Sequence, residues 1–449
     1  MSLWPSPWPA EDGGPARGQT PHGIPGLGLR AGGRLEVTSR DALAATMFVL
    51  REPGELFLLR HTLGPRGPDS PVDTWVERID PVTLETLDAS TRLAAGPFWP
   101  GGLVAHANGS LYVTAGRWCH RLSSDLRVLR SRKLPRPRPY NSLVVLACGA
   151  LVMKDLDRSS AHPTTLTVLD PDTLEPLAPP LDAPEASIAR LSAIHDTVYL
   201  VGDHTISRWG WERDRLVRDE GWELRYRTRA DQGYGWDVVL AGGHAWFMDN
   251  GEHDYVTTML GAGTAKGQVH LVRVSLSDAD DHELVPVCGA PGGAITNPPV
   301  FDVERRVAVA YDSANGVLAA FRFDGGRLEP LWRREQATAG HLMLFGDTGE
   351  LIAYDFHPAP GTRSRLARAA RGLGTRLVLN ERVRRAASRS AREDVVVLDV
   401  ETGTERGRAS VPSLFQSVLF PCPGWSRDVY YCSFATLARI AVAPDSARA

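Results

Sequence analysis

An acidic turn recurs along this chain at a nearly fixed interval, and no other feature constrains the fold as strongly. "WVERIDPVTLETL" (residues 75–87) and "TTLTVLDPDTLEPL" (164–177) each join two strand-like apolar runs through an Asp-led breaker. Comparable turns centred on Asp80, Asp125, Asp170, Asp214, Asp278, Asp324, Asp399 and Asp445 are separated by 45, 45, 44, 64, 46, 75 and 46 residues. Each period also holds an earlier hairpin, as in "NSLVVLACGALVMKD" or "HLMLFGDTGELIAYD". Four short strands per unit of about 45 residues is the pattern of propeller blades, because one such unit cannot bury its apolar faces alone. The reading is an all-β, eight-bladed propeller, with seven blades as the alternative count.

The two ends of the repeat are incomplete in complementary ways. After "FQSVLF", "DVYYCS" and "LARIAVA" the last unit lacks a fourth strand, whereas "GRLEVTS" (33–39) is a lone strand ahead of the first full unit. An open ring would leave bare sheet edges, so the N-terminal strand is expected to complete the last blade. Residues 1–32 are rich in Pro and Gly and read as a flexible arm before one propeller domain, 33–449. Two long steps in the period mark insertions, at about 250–268 and 357–393. The second carries ten arginines between Arg363 and Arg392, with Leu366, Leu373 and Leu377 at helical spacing.

Composition removes several function classes. A net charge of -3 gives no global attraction to nucleic acid or membrane, and 43% hydrophobic content is ample for a large core. Aromatic residues do not interleave the basic segment, which argues against specific nucleic-acid recognition; 363–392 reads as a solvated helix packed on the propeller, or else as a lid over the channel or a basic face for an anionic surface. The five cysteines are scattered, and the N-terminus lacks the basic-then-apolar order of a signal peptide, so a cytoplasmic monomer is expected. H-E-x-x-H, G-x-S-x-G and the phosphate-loop motif are absent.

The repeat style, with "LDVETGTERGR" (398–408) and the "LDPDTLEPL"-like turns, resembles the quinoprotein-like eight-bladed propeller superfamily over roughly residues 34–445. Members that carry pyrroloquinoline quinone repeat an A-x-D-x-x-T-G-x-x-x-W turn and have an adjacent cysteine pair. Here only Asp399 to Gly403 follows that turn, without the tryptophan, and no two cysteines adjoin, so the cofactor is not carried over.

Aligning the second strand of every unit places His61, Ala115, Asp155, Asp203, Asp249, Asp312, Asp355 and Ser433 at equivalent ends. Asp makes up 32 of 449 residues, so eight random positions would hold fewer than one, and five is an excess to be explained. One reading has each carboxylate accepting N–H bonds from its own turn. The other turns several toward the central channel, where converging carboxylates repel unless a cation neutralises them. Asp155, Asp203, Asp249, Asp312 and Asp355 are then metal candidates, for Ca²⁺ or Mg²⁺. Asn141, Trp236, Asn297, His341 and Gln416, at the mouths of the innermost strands, are candidate ligand contacts, with His341 and Asp312 as acid/base candidates. The leading expectation is a soluble propeller that binds a small molecule at the top-face channel, with hydrolase or lyase chemistry. The competing expectation is a non-catalytic scaffold for a protein partner.

Overall fold

The computed structural model describes residues 2–62, 72–97, 99–359, 382 and 390–443. Eight antiparallel sheets follow one another in sequence and close into a ring. Blade 1 starts with Ala45–Leu50, and the innermost strands of blades 2 to 8 are Gly102–Ala105, Tyr140–Val145, Ser192–Ile194, Val239–Ala241, Val300–Asp302, Met343–Phe345 and Cys422–Pro423. The innermost strands of blades 1 and 3 are buried along their whole length, whereas the outer strands Thr86–Ala89 and Val128–Lys133 are almost entirely exposed. Continuous apolar runs therefore lie at the centre, where both faces of a strand meet neighbouring blades.

The acidic turns owe their regularity to local hydrogen bonding. Asp80 Oδ1 accepts the N–H groups of Val82 and Thr83 at 2.8 and 2.7 Å. Asp170 does the same for Asp172 and Thr173, and Asp399 for Glu401 and Thr402. Each is an Asx-turn that ends one strand and sets the direction of the next.

Closure follows the expectation of eight blades. Leu35–Asp41 pairs antiparallel with Thr436–Val442, from Leu35 opposite Val442 to Asp41 opposite Thr436, and becomes the outer strand of blade 8. The Arg-rich stretch expected as helical lies outside the described residues apart from 357–359, 382 and 390–393. Among the described residues no helix is long and apolar enough to cross a membrane.

The N-terminal segment, expected as a flexible arm, is packed. Trp8, Glu11, Asp12, Arg17, Gln19, Leu27 and Leu29 are all buried. Its backbone carbonyls take N–H bonds from innermost strands around the ring: Trp8 from Leu50, Pro9 from Ala105, Pro15 from Ala193, Ala16 from Leu240 and Gln19 from Leu344. Composition misled because proline was read as a mark of looseness. Here Pro9 and Pro15 supply carbonyls to strand edges and bring no donor that would need a partner.

Deleting residues 1–41 removes both the closing strand and the arm, and bares the edge of Thr436–Val442. The expected result is aggregation and loss of a single cooperative thermal transition, read by circular dichroism and size-exclusion chromatography; a truncated chain that stays monomeric and melts cooperatively would contradict this account of closure.

Candidate functional site: the plugged channel

The arm enters the ring from the face of the first-to-second-strand turns and brings three charged side chains to the centre. Arg17 donates to Asp12 Oδ2 at 2.8 Å, to Glu11 Oε2 at 3.0 Å and to the Leu191 carbonyl at 2.8 Å. Arg190, at the entry to blade 4, donates to Glu11 Oε2 at 2.7 Å and to the carbonyls of Pro100 and Gly101 at 2.7 and 3.1 Å. Its guanidinium also lies 4.7 Å from the ring centroid of Phe420, which precedes blade 8 on the opposite side. The lumen is thus bridged from wall to wall. Asp12, Arg17 and Gln19 hold left-handed backbone angles, φ of 53°, 54° and 54°, a conformation costly for residues with a Cβ and kept here by their buried side-chain bonds.

Electrostatics follows from burial and pairing. Burial alone would raise the Asp12 carboxyl, but His341 and Arg17 beside it outweigh that and hold it below the usual carboxylate range. His61 is pushed down to about 3 by burial, with Arg190 adding to the effect. Lys154 is pushed down to about 7 by burial, against the pull of Asp155 and Asp237. Its ammonium is held by the Ser187 carbonyl at 2.8 Å and by Asn141 Oδ1 at 3.2 Å.

The other mouth is covered by the first insertion. Residues 250–268 leave blade 5 and reach Gln416 ahead of blade 8: Gln416 Oε1 accepts the Met259 N–H at 2.7 Å and the Thr258 hydroxyl at 3.0 Å, and Tyr255 donates to the Gln416 carbonyl. Met259 packs there among Ala294, Ala314 and Ala339. Glu393 lies in this region with burial driving its carboxyl up to about 8, although Tyr431 and the Ser417 N–H donate to it.

The five strand-end aspartates stand at the expected ends to within two residues, and four of the carboxylates bond backbone N–H groups nearby. Asp155 Oδ1 accepts from Thr165 and its other oxygen meets Arg138 at 2.6 Å. Asp249 binds the His270 N–H and ring together with Gln232. Asp312 accepts from Ala294, Asn315 and the Cys288 thiol, and Asp355 from Ala337. Asp203 is buried and its own N–H is bonded to the Ala186 carbonyl. None of the five belongs to a group of three metal-type ligands; among the described residues the one such trio is Asp12, Asp237 and His341.

The mouth residues fare differently from one another. Asn141 and Asn297 donate to the carbonyls of Ile188 and Ala339 in the next blade, so they stitch blades together. Trp236 donates to the Gly251 carbonyl and stacks on His253, and Gln416 receives the insertion. His341 alone of the five reaches the central cluster, with Nδ1 2.9 Å from Asp12 Oδ1. Sequence reasoning passed over Glu11, Asp12, Arg17, Arg190 and Asp237. The available signals were the charged residues of "AEDGGPARG", sparse among Pro and Gly, and Asp237 directly after Trp236.

No protein-family model and no curated protein matches the chain. Solved structures do. A quinohemoprotein alcohol dehydrogenase, ADHIIG from Pseudomonas putida HK5, superposes with TM-score 0.60 at 8% identity over 98% of this chain and 80% of its own. The quinohemoprotein alcohol dehydrogenase of Comamonas testosteroni gives 0.58 at 10% identity over 97% and 80%. A europium-containing methanol dehydrogenase gives 0.56 at 8% over 95% and 89%. The fold is that of the quinoprotein-like eight-bladed propellers. At these identities the likeness concerns the fold alone. The residues present do not fit a flat quinone cofactor in the channel: Glu11, Asp12, Arg17, Arg190 and Phe420 fill the lumen, and the five cysteines include no adjacent pair.

Two outcomes follow. Arg190→Met leaves Glu11 and the carbonyls of Pro100 and Gly101 short of a donor and is expected to destabilise the fold by about 3–5 kcal/mol in chemical denaturation. Glu393 ionises near 4.5 in the unfolded chain and near 8 in the folded one, so the folded state binds the extra proton between those values. Stability from this group therefore falls as pH rises through that window and levels off above it. Glu393→Gln is expected to flatten that slope in melting curves taken from pH 5 to 8.

Proposed function

We propose that this protein is a non-catalytic interaction scaffold. The observation that carries the reading is the filled channel. The place where this fold could seat a small molecule is taken up by the chain's own arm, and four of the five candidate aspartates, Asp155, Asp249, Asp312 and Asp355, are engaged with backbone N–H groups of adjoining loops. Binding capacity then moves to the periphery. Of the seven large hydrophobic residues exposed among the described ones, five, Val82, Leu87, Val128, Leu129 and Leu177, lie on the outer edges of blades 1 to 3. Single exposed apolar residues are ordinary, but their concentration on three successive blades, beside unpaired outer strand edges, suits a protein partner. We place the protein in the cytoplasm, where five free thiols, three of them fully buried, are stable.

A second reading keeps a small-molecule ligand, on the strength of one observation. The arm-side face holds a basin of about 1270 Å³ lined by Trp4, Ile24, His195, Phe301, Val303 and Trp425 among others. The two readings separate on variants. Leu87→Lys combined with Leu129→Lys is expected to keep wild-type melting and to abolish partner cross-links mapped to blades 1–3 by mass spectrometry, while Val303→Lys leaves them intact. Cross-links that survive the double variant, or saturable binding of a small metabolite lost on Val303→Lys, would overturn the scaffold reading.

A further inference from the structure

Three buried side chains from distant parts of the chain meet inside the lumen: Asp12 of the arm, Asp237 at the entry to blade 5 and His341 at the entry to blade 7. Each is about 1% exposed, and their ligand-type atoms lie within 4.8 Å of one another. The outer oxygen of each carboxylate is already fixed. Asp12 Oδ2 accepts from Arg17 at 2.8 Å, and Asp237 Oδ1 accepts the Arg190 N–H at 2.6 Å. The inner atoms are left over. Asp12 Oδ1 and His341 Nδ1 are 2.9 Å apart, an ion-pair distance, and neither atom has a further polar partner. Asp237 Oδ2 has Arg17 no nearer than 4.0 Å.

Two atoms bound to one ion at about 2.1 Å and a right angle sit roughly 3 Å apart, the spacing seen here. A carboxylate whose second oxygen is tied to an arginine or a backbone N–H is the usual way an outer shell orients a ligand. One imidazole with two carboxylates is a mixed nitrogen and oxygen set, which favours first-row transition ions over Ca²⁺, whose sites hold six to eight oxygens.

We propose that Asp12, Asp237 and His341 bind one divalent transition-metal ion, of the Zn²⁺ or Mn²⁺ type, that fastens the N-terminal arm to blades 5 and 7. The arm supplies one ligand and the ring two, so the ion is a clasp, and holding the plug in the channel becomes metal-dependent. This does not depend on the scaffold reading, since a clasped arm serves a scaffold and a ligand-binding propeller alike.

The test uses the full chain, stripped with chelator and titrated with Zn²⁺, Mn²⁺, Co²⁺, Ca²⁺ and Mg²⁺. The expected result is one equivalent of Zn²⁺ or Mn²⁺ per chain by calorimetry, a rise in melting temperature, and slower proteolysis of the arm in the loaded form. Asp12→Asn and His341→Gln, which nearly keep side-chain shape, are expected to weaken binding about ten-fold or more. Because either variant could fail to fold, the wild-type Co²⁺ form supplies an independent readout: visible d–d bands without a thiolate charge-transfer band. No stoichiometric ion on folded wild-type protein would overturn the proposal and leave His341 simply in contact with Asp12. Binding that both folded variants retain would overturn it equally, by placing the ion elsewhere.

Discussion

The innermost strand of each blade has a hydrogen-bonding neighbour on one side only, and its other edge faces the lumen. Water could meet that need in an open channel, but a dry lumen requires protein acceptors. The arm provides them. Leu50, Ala105, Ala193, Leu240 and Leu344, from five blades, donate N–H bonds to arm carbonyls. A buried donor left without an acceptor costs about 1–3 kcal/mol, so the arm belongs to the folded ring as much as any strand does. Its route also explains its composition, since carbonyls must face outward at close intervals while few donors remain to be satisfied.

Filling the lumen with backbone brings charges with it. Glu11 takes bonds from both Arg17 and Arg190, so two guanidinium groups share one carboxylate, and Arg17 adds Asp12. Buried ion pairs gain little net stability over apolar packing, because desolvation offsets their attraction. What they give is register. An arm displaced by one residue would strand Arg17 away from Glu11 and the Leu191 carbonyl, and the penalty for an unpaired buried charge enforces a single seating. The left-handed angles at Asp12, Arg17 and Gln19 fit this view, since local strain persists only where surrounding bonds over-determine it.

The repeat was legible because it is local. Asp80, Asp170 and Asp399 form their turns from residues two and three places on, so spacing alone exposes them. The closing strand was legible for a related reason: the last unit visibly lacked a partner that the first segment could supply. Direction was not. Asp312 ends its strand as expected, yet its carboxylate points where the Ala294 N–H, Asn315 and Cys288 lie, and two of those belong to a connection some twenty residues away. The arm was misjudged because Pro and Gly mark both loose chain and chain that must bend tightly in a confined space. His341 was singled out by position, but its partner Asp12 lies more than three hundred residues earlier, and no local pattern joins them.

The same division separates what the repeat builds from what fills it. Ring closure, blade number and acidic turns come from the repeat, and the chain superposes on the quinohemoprotein dehydrogenases over 97–98% of its length at 8–10% identity. The contents of the lumen come mainly from outside it. Glu11, Asp12 and Arg17 belong to the arm, and Tyr255 and Met259 to an insertion between the second and third strands of one blade. A propeller's channel is a fixed volume bounded by inner strands, so whatever segment occupies it decides which chemistry can take place there. Two short segments, one at each mouth, therefore decide what the lumen holds while every blade stays in register. Function in such a chain is read first from the segments that break the repeat.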